Sequence, residues 1–276
     1  MSLKLAMGQM LVEGGQAARN LERAARMIAD AASLGCRIIV LPECLDIGWT
    51  YPEAPRLARP IPGEHSGALA RAAQEAGVYV VAGLTERAAD RVFNAAILID
   101  PAGDILLKHR KINELTIAQD IYAIGNSLSV VDTSLGVIGL NICADNFANS
   151  LVLGHALARM GARIILAPSA WAVWPDQHTQ DTYRAKWVPQ FAELATLYEL
   201  TVVSVSNVGP MTAGVWAGRL CIGSSLAVGP DGSILAEGPF GADAEALVVV
   251  EVEITPADLK GTAITDMLAD RGYHGP

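Results

Sequence analysis

Apolar runs of strand length alternate along this chain with longer stretches whose apolar residues recur at helical spacing. Residues 3–9 (LKLAMGQ) open as a strand. Residues 16–34 carry Leu21, Ala24, Ala25, Ile28, Ala31 and Ala32 on one helical face, with Gly35 as the stop. The pattern then predicts a strand over 37–43 (RIIVLPE), a helix over 68–77 and a buried strand over 78–84. The middle changes character. Residues 93–100 and 105–111, joined by the turn Pro101-Ala102-Gly103-Asp104, read as a hairpin, and residues 128–133 and 136–143 repeat the idea around Gly136. A helix over 150–161, a strand over 163–169, a helix over 180–198 and a strand over 201–207 restore the βα rhythm. A last hairpin over 223–238 turns at Pro230-Asp231-Gly232, and 246–254 is a final strand.

No linker or low-complexity tract interrupts the 276 residues, and no 20–50-residue repeat is visible. One α/β domain with a mixed sheet follows, its core over about 3–254. The tail over about 255–276 has little apolar pattern and is expected to pack on a neighbour or to be loosely ordered.

Composition narrows the function. The chain is 51% hydrophobic but only 5% aromatic, so its apolar content is mostly the Ala, Val, Ile and Leu of buried strands and Ala-rich helices. A net charge of −9 argues against nucleic acid or an anionic membrane surface as partner. The uncharged run 200–218 is long enough for a membrane span but contains Asn207, Pro210 and Gly209, Gly214 and Gly218, and its first half reads as a strand. The N-terminus shows no signal-peptide pattern, which points to the cytoplasm. Cys36, Cys44, Cys143 and Cys221 form no CxxC pair, so neither a disulfide framework nor a metal site is expected.

Three polar residues then stand out because each ends or follows an apolar strand, where ligands bind in α/β sheets. Glu43 closes RIIVLPE, Lys111 follows ILLKHR, and Cys143 closes GVIGLNIC. Their chemistry fits together. A thiol attacks only as thiolate, and a buried carboxylate can take its proton. A fixed ammonium in a dry pocket stabilises the oxyanion that results. Each also has a structural reading: Cys143 as a small buried hydrophobe, Glu43 as a solvated turn, Lys111 as the charge of an edge strand.

At these residues the sequence resembles the nitrilase superfamily of carbon–nitrogen hydrolases. IIVLPE, HRKI and GLNICAD occur in the family's order, with FNAAILIDPAGDILLKHRK as the hairpin between the first two. LAPSAW, SNVG and GSSLAVGPDG match later strands. The resemblance implies a four-layer α-β-β-α sandwich with mixed sheets, and a homodimer or higher homo-oligomer. It also implies cysteine-dependent hydrolysis of a small amide through a thioester, with no metal or organic cofactor. Glu43 is then the base, Cys143 the nucleophile, and Lys111 with the Ala144 N–H the oxyanion site.

Departures from the family pattern matter as well. Ala144 stands where an aromatic residue often follows the cysteine, which opens that side of the pocket. Asn146 replaces a common arginine, which puts carboxylate binding at that position in doubt. A second, substrate-positioning glutamate falls on Glu114, with Asp120 the competing choice. Trp171, and with it Trp174, is a candidate pocket floor, while loops 46–66 and 171–182 supply walls. Cys44 reads as core, His109 and His155 as surface or satisfied groups, and Arg184 and Lys186 as a helix face within reach of an acidic substrate. CAD lacks the Trp-Glu of nitrile-cleaving members, which favours an amide over a nitrile; an N-carbamoyl amide remains an alternative. A silent binding protein that keeps the fold is the competing class, and a Cys-Lys-Asp hydrolase of another fold is disfavoured because the strand-end acid is Glu43.

Overall fold

The computed structural model describes residues 2–256 and 261–275. The chain begins β1 (Ser2–Gln9), α1 (Ala17–Ser33), β2 (Ile38–Val40), α2 (Ala54–Leu57), α3 (Glu64–Ala76), β3 (Tyr79–Ala88), β4 (Arg91–Ile99) and β5 (Ile105–Arg110). It continues β6 (Val130–Thr133), β7 (Gly136–Leu140), α4 (Val152–Arg159), β8 (Ile164–Ser169), β9 (Ala172–Val173), α5 (Gln180–Arg184), α6 (Val188–Tyr198) and β10 (Thr201–Ser206). The remaining elements are β11 (Val208–Pro210), β12 (Leu220–Ile222), β13 (Leu226–Val228), β14 (Ile234–Glu237), β15 (Ala246–Glu253) and α7 (Thr262–Asp270).

Two six-stranded sheets result, in the orders β15-β1-β2-β3-β4-β5 and β14-β13-β10-β8-β7-β6. In the first, β1, β2 and β3 are parallel and the outer pairings antiparallel. In the second, β7, β8 and β10 are parallel, with antiparallel β6 on one side and β13 and β14 on the other. The two sheets therefore share one plan: β-α-β-α-β followed by two antiparallel strands. This repeat of half the chain length has no counterpart in the residue pattern, because it is carried by topology and not by shared side chains.

Alternation along the strands explains the layering. Leu5, Met7, Ile38, Val40 and Val81 point from the first sheet into the main core, which the second sheet also enters. Their neighbours Ala6, Ile39, Val80 and Ala82 point the other way, onto Ala24, Ile28 and Ala31 of α1 and Leu69 and Ala73 of α3. Leu157 of α4 and Phe191, Leu194 and Ala195 of α6 cover the second sheet. The four layers are thus α-β-β-α, and the central parallel strands read as continuous apolar runs because both faces are buried.

Three expectations shift, and one small sheet was not foreseen. The strand expected over 37–43 pairs only over Ile38–Val40, because Pro42 has no N–H and the chain leaves the sheet there. The helix expected over 180–198 is two helices, since Pro189 sits in the first turn of α6 and no helix passes through it intact. A small third sheet, β11-β12-β9, had no clear pattern in the sequence because its strands are two or three residues long. The tail also differs: Ile264 and Leu268 of α7 are buried in the chain's own core. Arg271 reaches the carbonyls of Thr196 and Leu197 at 3.1 and 2.6 Å, which satisfies the C-terminus of α6.

Leu268, at 1% exposure, should therefore behave as a core residue. Leu268→Ala is expected to cost about 2–4 kcal/mol and to lower Tm by about 5–12 °C, against almost no change for Thr265→Ala on the exposed face. Equal melting of the two variants would show that the tail is not docked.

Candidate active site

Glu43 lies where the chain crosses from one sheet to the other. Leu41 still bonds to Val81 in the first sheet, but the Glu43 N–H donates to Ser169 O at the end of β8, 3.1 Å away. Gly83 makes this crossing fit: a Cβ there would stand 2.5 Å from Glu43 Cα and 2.7 Å from Pro42 O. Lys111 follows β5 and remains tied to β4 by its N–H to Asn94 O at 2.9 Å. Cys143 begins a short 3-10 turn, Cys143–Asn146, straight after β7. Its φ of 42° is one that L-residues seldom adopt, so the thiol is held out of the strand direction at a conformational cost.

These three converge. Lys111 Nζ donates to Glu43 Oε1 at 2.8 Å, and each side chain is 1% exposed. Asn94 Nδ2 donates to the same oxygen at 2.6 Å. The Cys44 thiol donates to Asn94 Oδ1 at 3.4 Å and so sets which end of that amide faces Glu43. Glu43 Oε2 is buried without a hydrogen-bond partner among the described residues. Glu114 Oε1 lies 3.6 Å from Lys111 Nζ, whereas Asp120 is exposed. Of the two candidates for a second acid, only Glu114 is brought to the group. The Trp49 ring lies 5.6 Å from Lys111 Nζ.

The electrostatics follow from burial and from which charges are near. Burial alone would discharge Lys111, but Glu43, Glu114 and Cys143 outweigh it and raise its pKa well above the ordinary value. Burial raises the Cys143 pKa, with the Glu43 charge adding and Lys111 and the Ala170 N–H opposing, so the resting sulfur is a thiol. Burial also pushes Glu114 up to about 7, against the pull of Lys111 and with help from the charges of Glu43 and Asp145.

Asp145 carries the turn. It is fully buried and accepts from Ile142 N at 3.0 Å, Ile112 N at 3.1 Å, Asn113 N at 2.7 Å and His109 Nε2 at 2.8 Å. It thereby ties the cysteine turn to the lysine loop, and His109 is buried, with Nε2 engaged here and Nδ1 left without a hydrogen-bond partner among the described residues. Asn146, expected to line the pocket, uses its amide within the turn, donating to Cys143 O at 3.3 Å and accepting from Asn141 Nδ2 at 3.0 Å. Ala144 is buried, and its N–H lies in the first turn of the 3-10 segment, where no intrahelical acceptor exists. Trp171 is buried and stacked on Trp187 at 4.6 Å, beside Tyr183 at 5.8 Å, whereas Trp174 is 41% exposed.

Sequence reasoning missed Asn94, Asp145, Trp49, Tyr183 and Trp187. Asn94 had a signal, a polar residue inside an apolar strand, and Asp145 lay within the quoted GLNICAD. The aromatic residues had none, because their place in the site depends on loops. Arg184 is engaged by Asp181 at 2.6 Å and Glu237 at 3.2 Å, and Cys44 is fully buried. Among the described residues no His/Cys/Asp/Glu group suited to a metal ion occurs. No described helix is long and apolar enough to cross a membrane. A small cleft is lined by Trp49, Asn207, Met211 and Cys221, but Glu43, Lys111 and Cys143 are not in its wall.

A family model for carbon-nitrogen hydrolase matches residues 4–263. The chain belongs to this family. It is 32% identical over 179 residues to omega-amidase NIT2-A of Xenopus laevis, covering 61% of this chain and 63% of that protein. It is 29% identical over 233 residues to omega-amidase NIT2-B of the same species, covering 80% and 79%. The chain thus spans less than two thirds of the length of the first of these. The fold is that of a carbon-nitrogen hydrolase from Helicobacter pylori G27, with TM-score 0.81 and 19% identity over 99% of this chain and 94% of that one. An amidase from Nesterenkonia sp. superposes with TM-score 0.79 at 20% identity over 98% and 95%. A variant of that amidase, E41L, carries the acetamide moiety of fluoroacetamide on its active-site cysteine; it superposes with TM-score 0.78 at 20% identity over 98% and 94%.

Glu114 generates a pH prediction. Its folded pKa of about 7 exceeds the ordinary carboxylate value of 4.5. Its contribution to stability is therefore most favourable at low pH and declines as pH rises from about 4.5 through about 7, by on the order of 3 kcal/mol. Urea unfolding at pH 5 and pH 8 should show Glu114→Gln gaining on the parent at the higher pH. A shift in the opposite direction would refute the buried, charge-crowded position assigned to this carboxyl.

Proposed function

We propose that this carbon–nitrogen hydrolase cleaves the C–N bond of a small amide through a thioester on Cys143, releasing ammonia or an amine. The observation that carries this reading is the buried Lys111–Glu43 pair at 2.8 Å, set beside a thiol in a strained turn. The omega-amidase names of the sequence relatives support an amide as substrate.

The geometry suggests how the groups divide the work. Glu43 Oε1 is occupied by Lys111 and Asn94, which leaves Oε2 for the thiol proton. The sulfur rests as a thiol, so its proton leaves at the moment of attack on the carbonyl carbon. Lys111 stays charged and, with the Ala144 N–H, meets the oxyanion. Glu43 then passes its proton to the departing nitrogen, leaving the acyl group on sulfur. Water, deprotonated by Glu43, attacks the thioester and releases the acid, and the proton returns to the thiol. Glu114, half-protonated near neutral pH, holds Lys111 from its other side and is placed to orient the amide. Trp171 and its aromatic neighbours Tyr183 and Trp187 wall the site.

A homodimer belongs to the same proposal. It is supported by the exposed apolar side chains of Ile234 and Leu235 on β14 and Val249 on β15, two strands that lie against one another. So does a cytoplasmic setting, supported by four cysteines that all stay free thiols.

Ammonia release from a panel of primary amides, N-carbamoyl amino acids and nitriles tests the reading. Cys143→Ala is expected to abolish release, and Lys111→Ala to lower kcat/KM about 10²–10³-fold. Undiminished release by Cys143→Ala would overturn the thioester route.

A further inference from the structure

Beside the reacting groups lie two buried side chains that the proposed chemistry leaves unused, the Cys44 thiol and the Tyr122 phenol. Cys44 is fully buried and Tyr122 is 1% exposed, in a cluster with Val92, Ala118 and Ala170. A hydroxyl in such surroundings is costly unless its hydrogen meets an acceptor.

Their hydrogens run in one direction. The Thr50 N–H, which can only donate, bonds to the Tyr122 hydroxyl oxygen at 3.2 Å. The phenol hydrogen is thus left for Cys44 Sγ, 3.7 Å away. The thiol has a single hydrogen, and it goes to Asn94 Oδ1 at 3.4 Å. Asn94 Nδ2 then faces the carboxylates, donating to Glu43 Oε1 at 2.6 Å and to Glu114 Oε2 at 3.5 Å. A backbone N–H fixes one end of this run, and ionised carboxylates, which only accept, fix the other. Burial raises the thiol and the phenol well above their ordinary pKa values, with the Glu43 charge adding at the thiol, so both keep these hydrogens.

The backbone is bent to make the run possible. Cys44 takes φ 45° and Thr50 φ 57°, in the left-handed region that L-residues seldom occupy. In an extended strand Cys44 would point away from its neighbour Glu43. Here both side chains reach Asn94. Gly48 N donates to Cys44 O at 2.8 Å and closes the turn that leads on to Thr50. Asn94 is 1% exposed on β4, paired with Thr85 of β3, and its carbonyl accepts from Lys111 N at 2.9 Å. One residue thus grips Glu43 through its amide and Lys111 through its backbone.

We propose that Asn94 is a positioning residue for Glu43, and that Cys44, itself held by Tyr122, fixes the Asn94 amide so that Oε1 stays occupied and Oε2 carries the proton. The two ends of an amide are alike in size and opposite in sense. Glu43 selects the Nδ2 end only while it is ionised. Once Glu43 holds the proton from Cys143, the Cys44 hydrogen is what keeps the amide from turning over. The proton then stays on Oε2 for the departing nitrogen. This proposal rests on the amidase reading given above.

Cys44→Ser and Cys44→Ala separate this role from packing. Serine keeps a hydrogen for Asn94 Oδ1, whereas alanine keeps only apolar bulk. The hydrogen-bonding role ranks serine above alanine, and a small buried hydrophobe ranks them the other way. With the primary amide that the parent cleaves best, Cys44→Ala should lower kcat about 2–10-fold with KM little changed, and Cys44→Ser should lose less. Asn94→Leu, which offers Glu43 no donor, should lower kcat about 10–10²-fold and move the acidic limb of the pH–rate profile to higher pH. Thermal unfolding of each variant separates these losses from loss of fold. Cys44→Ala matching or exceeding Cys44→Ser, or Asn94→Leu keeping the parent's kcat and profile, refutes the assignment. If the parent releases no ammonia, the amidase reading fails, and alkylation of Cys143 by iodoacetamide decides the assignment without turnover. The acidic limb of that alkylation should move up in Asn94→Leu and, by less, in Cys44→Ala but not in Cys44→Ser; profiles that coincide with the parent's refute it.

Discussion

The ion pair between Lys111 and Glu43 is the constraint on which this structure turns. Both side chains are 1% exposed, and taking two charges that far from water costs several kcal/mol per ion before any gain. Neighbouring groups offset part of that cost, although Glu43 Oε2 is left without a hydrogen-bond partner among the described residues. Asn94 shares the Glu43 oxygen, Glu114 stands on the far side of the ammonium, and the Trp49 ring covers it. Glu43 meanwhile anchors its backbone to the opposite sheet. Burying this pair therefore requires both sheets, and the site forms only where their strand ends meet.

The same requirement accounts for the local irregularities. Pro42 ends β2 early, Gly83 clears space for the crossing, and Cys143 takes a positive φ. Each would weaken an ordinary strand. Here they set three polar side chains against one another, and Asp145 repairs the backbone by accepting three N–H groups and a histidine from two different loops. A single buried carboxylate thus holds the cysteine turn to the lysine loop.

Holding the sulfur as a thiol is consistent with that arrangement. A free thiolate beside the Glu43 carboxylate would add a second negative charge to a dry pocket, and Lys111 alone does not compensate for both. In the proposed reaction the proton is kept until a substrate presents a carbon to attack. On that proposal the site is a set of preorganised charges that need little reorganisation when the oxyanion forms.

Much of this was legible in the residues. The alternation of apolar runs and helical stretches set the α/β class, and Glu43, Lys111 and Cys143 were visible as polar residues at the ends of apolar strands, because strand ends and burial patterns are local properties of a chain. Other features depended on contacts between residues far apart. Glu114 and Asp120 are equivalent in sequence, and only packing brings one to Lys111 and leaves the other in solvent. Asn146 looks like a pocket residue until the turn claims both ends of its amide. The docking of α7 and the repeated plan of the two sheets likewise arise from long-range packing. Local pattern determined which segments become strands and helices and which side chains could react, while the tertiary structure decided which of those side chains meet, because burial and charge pairing are settled between elements and not within them.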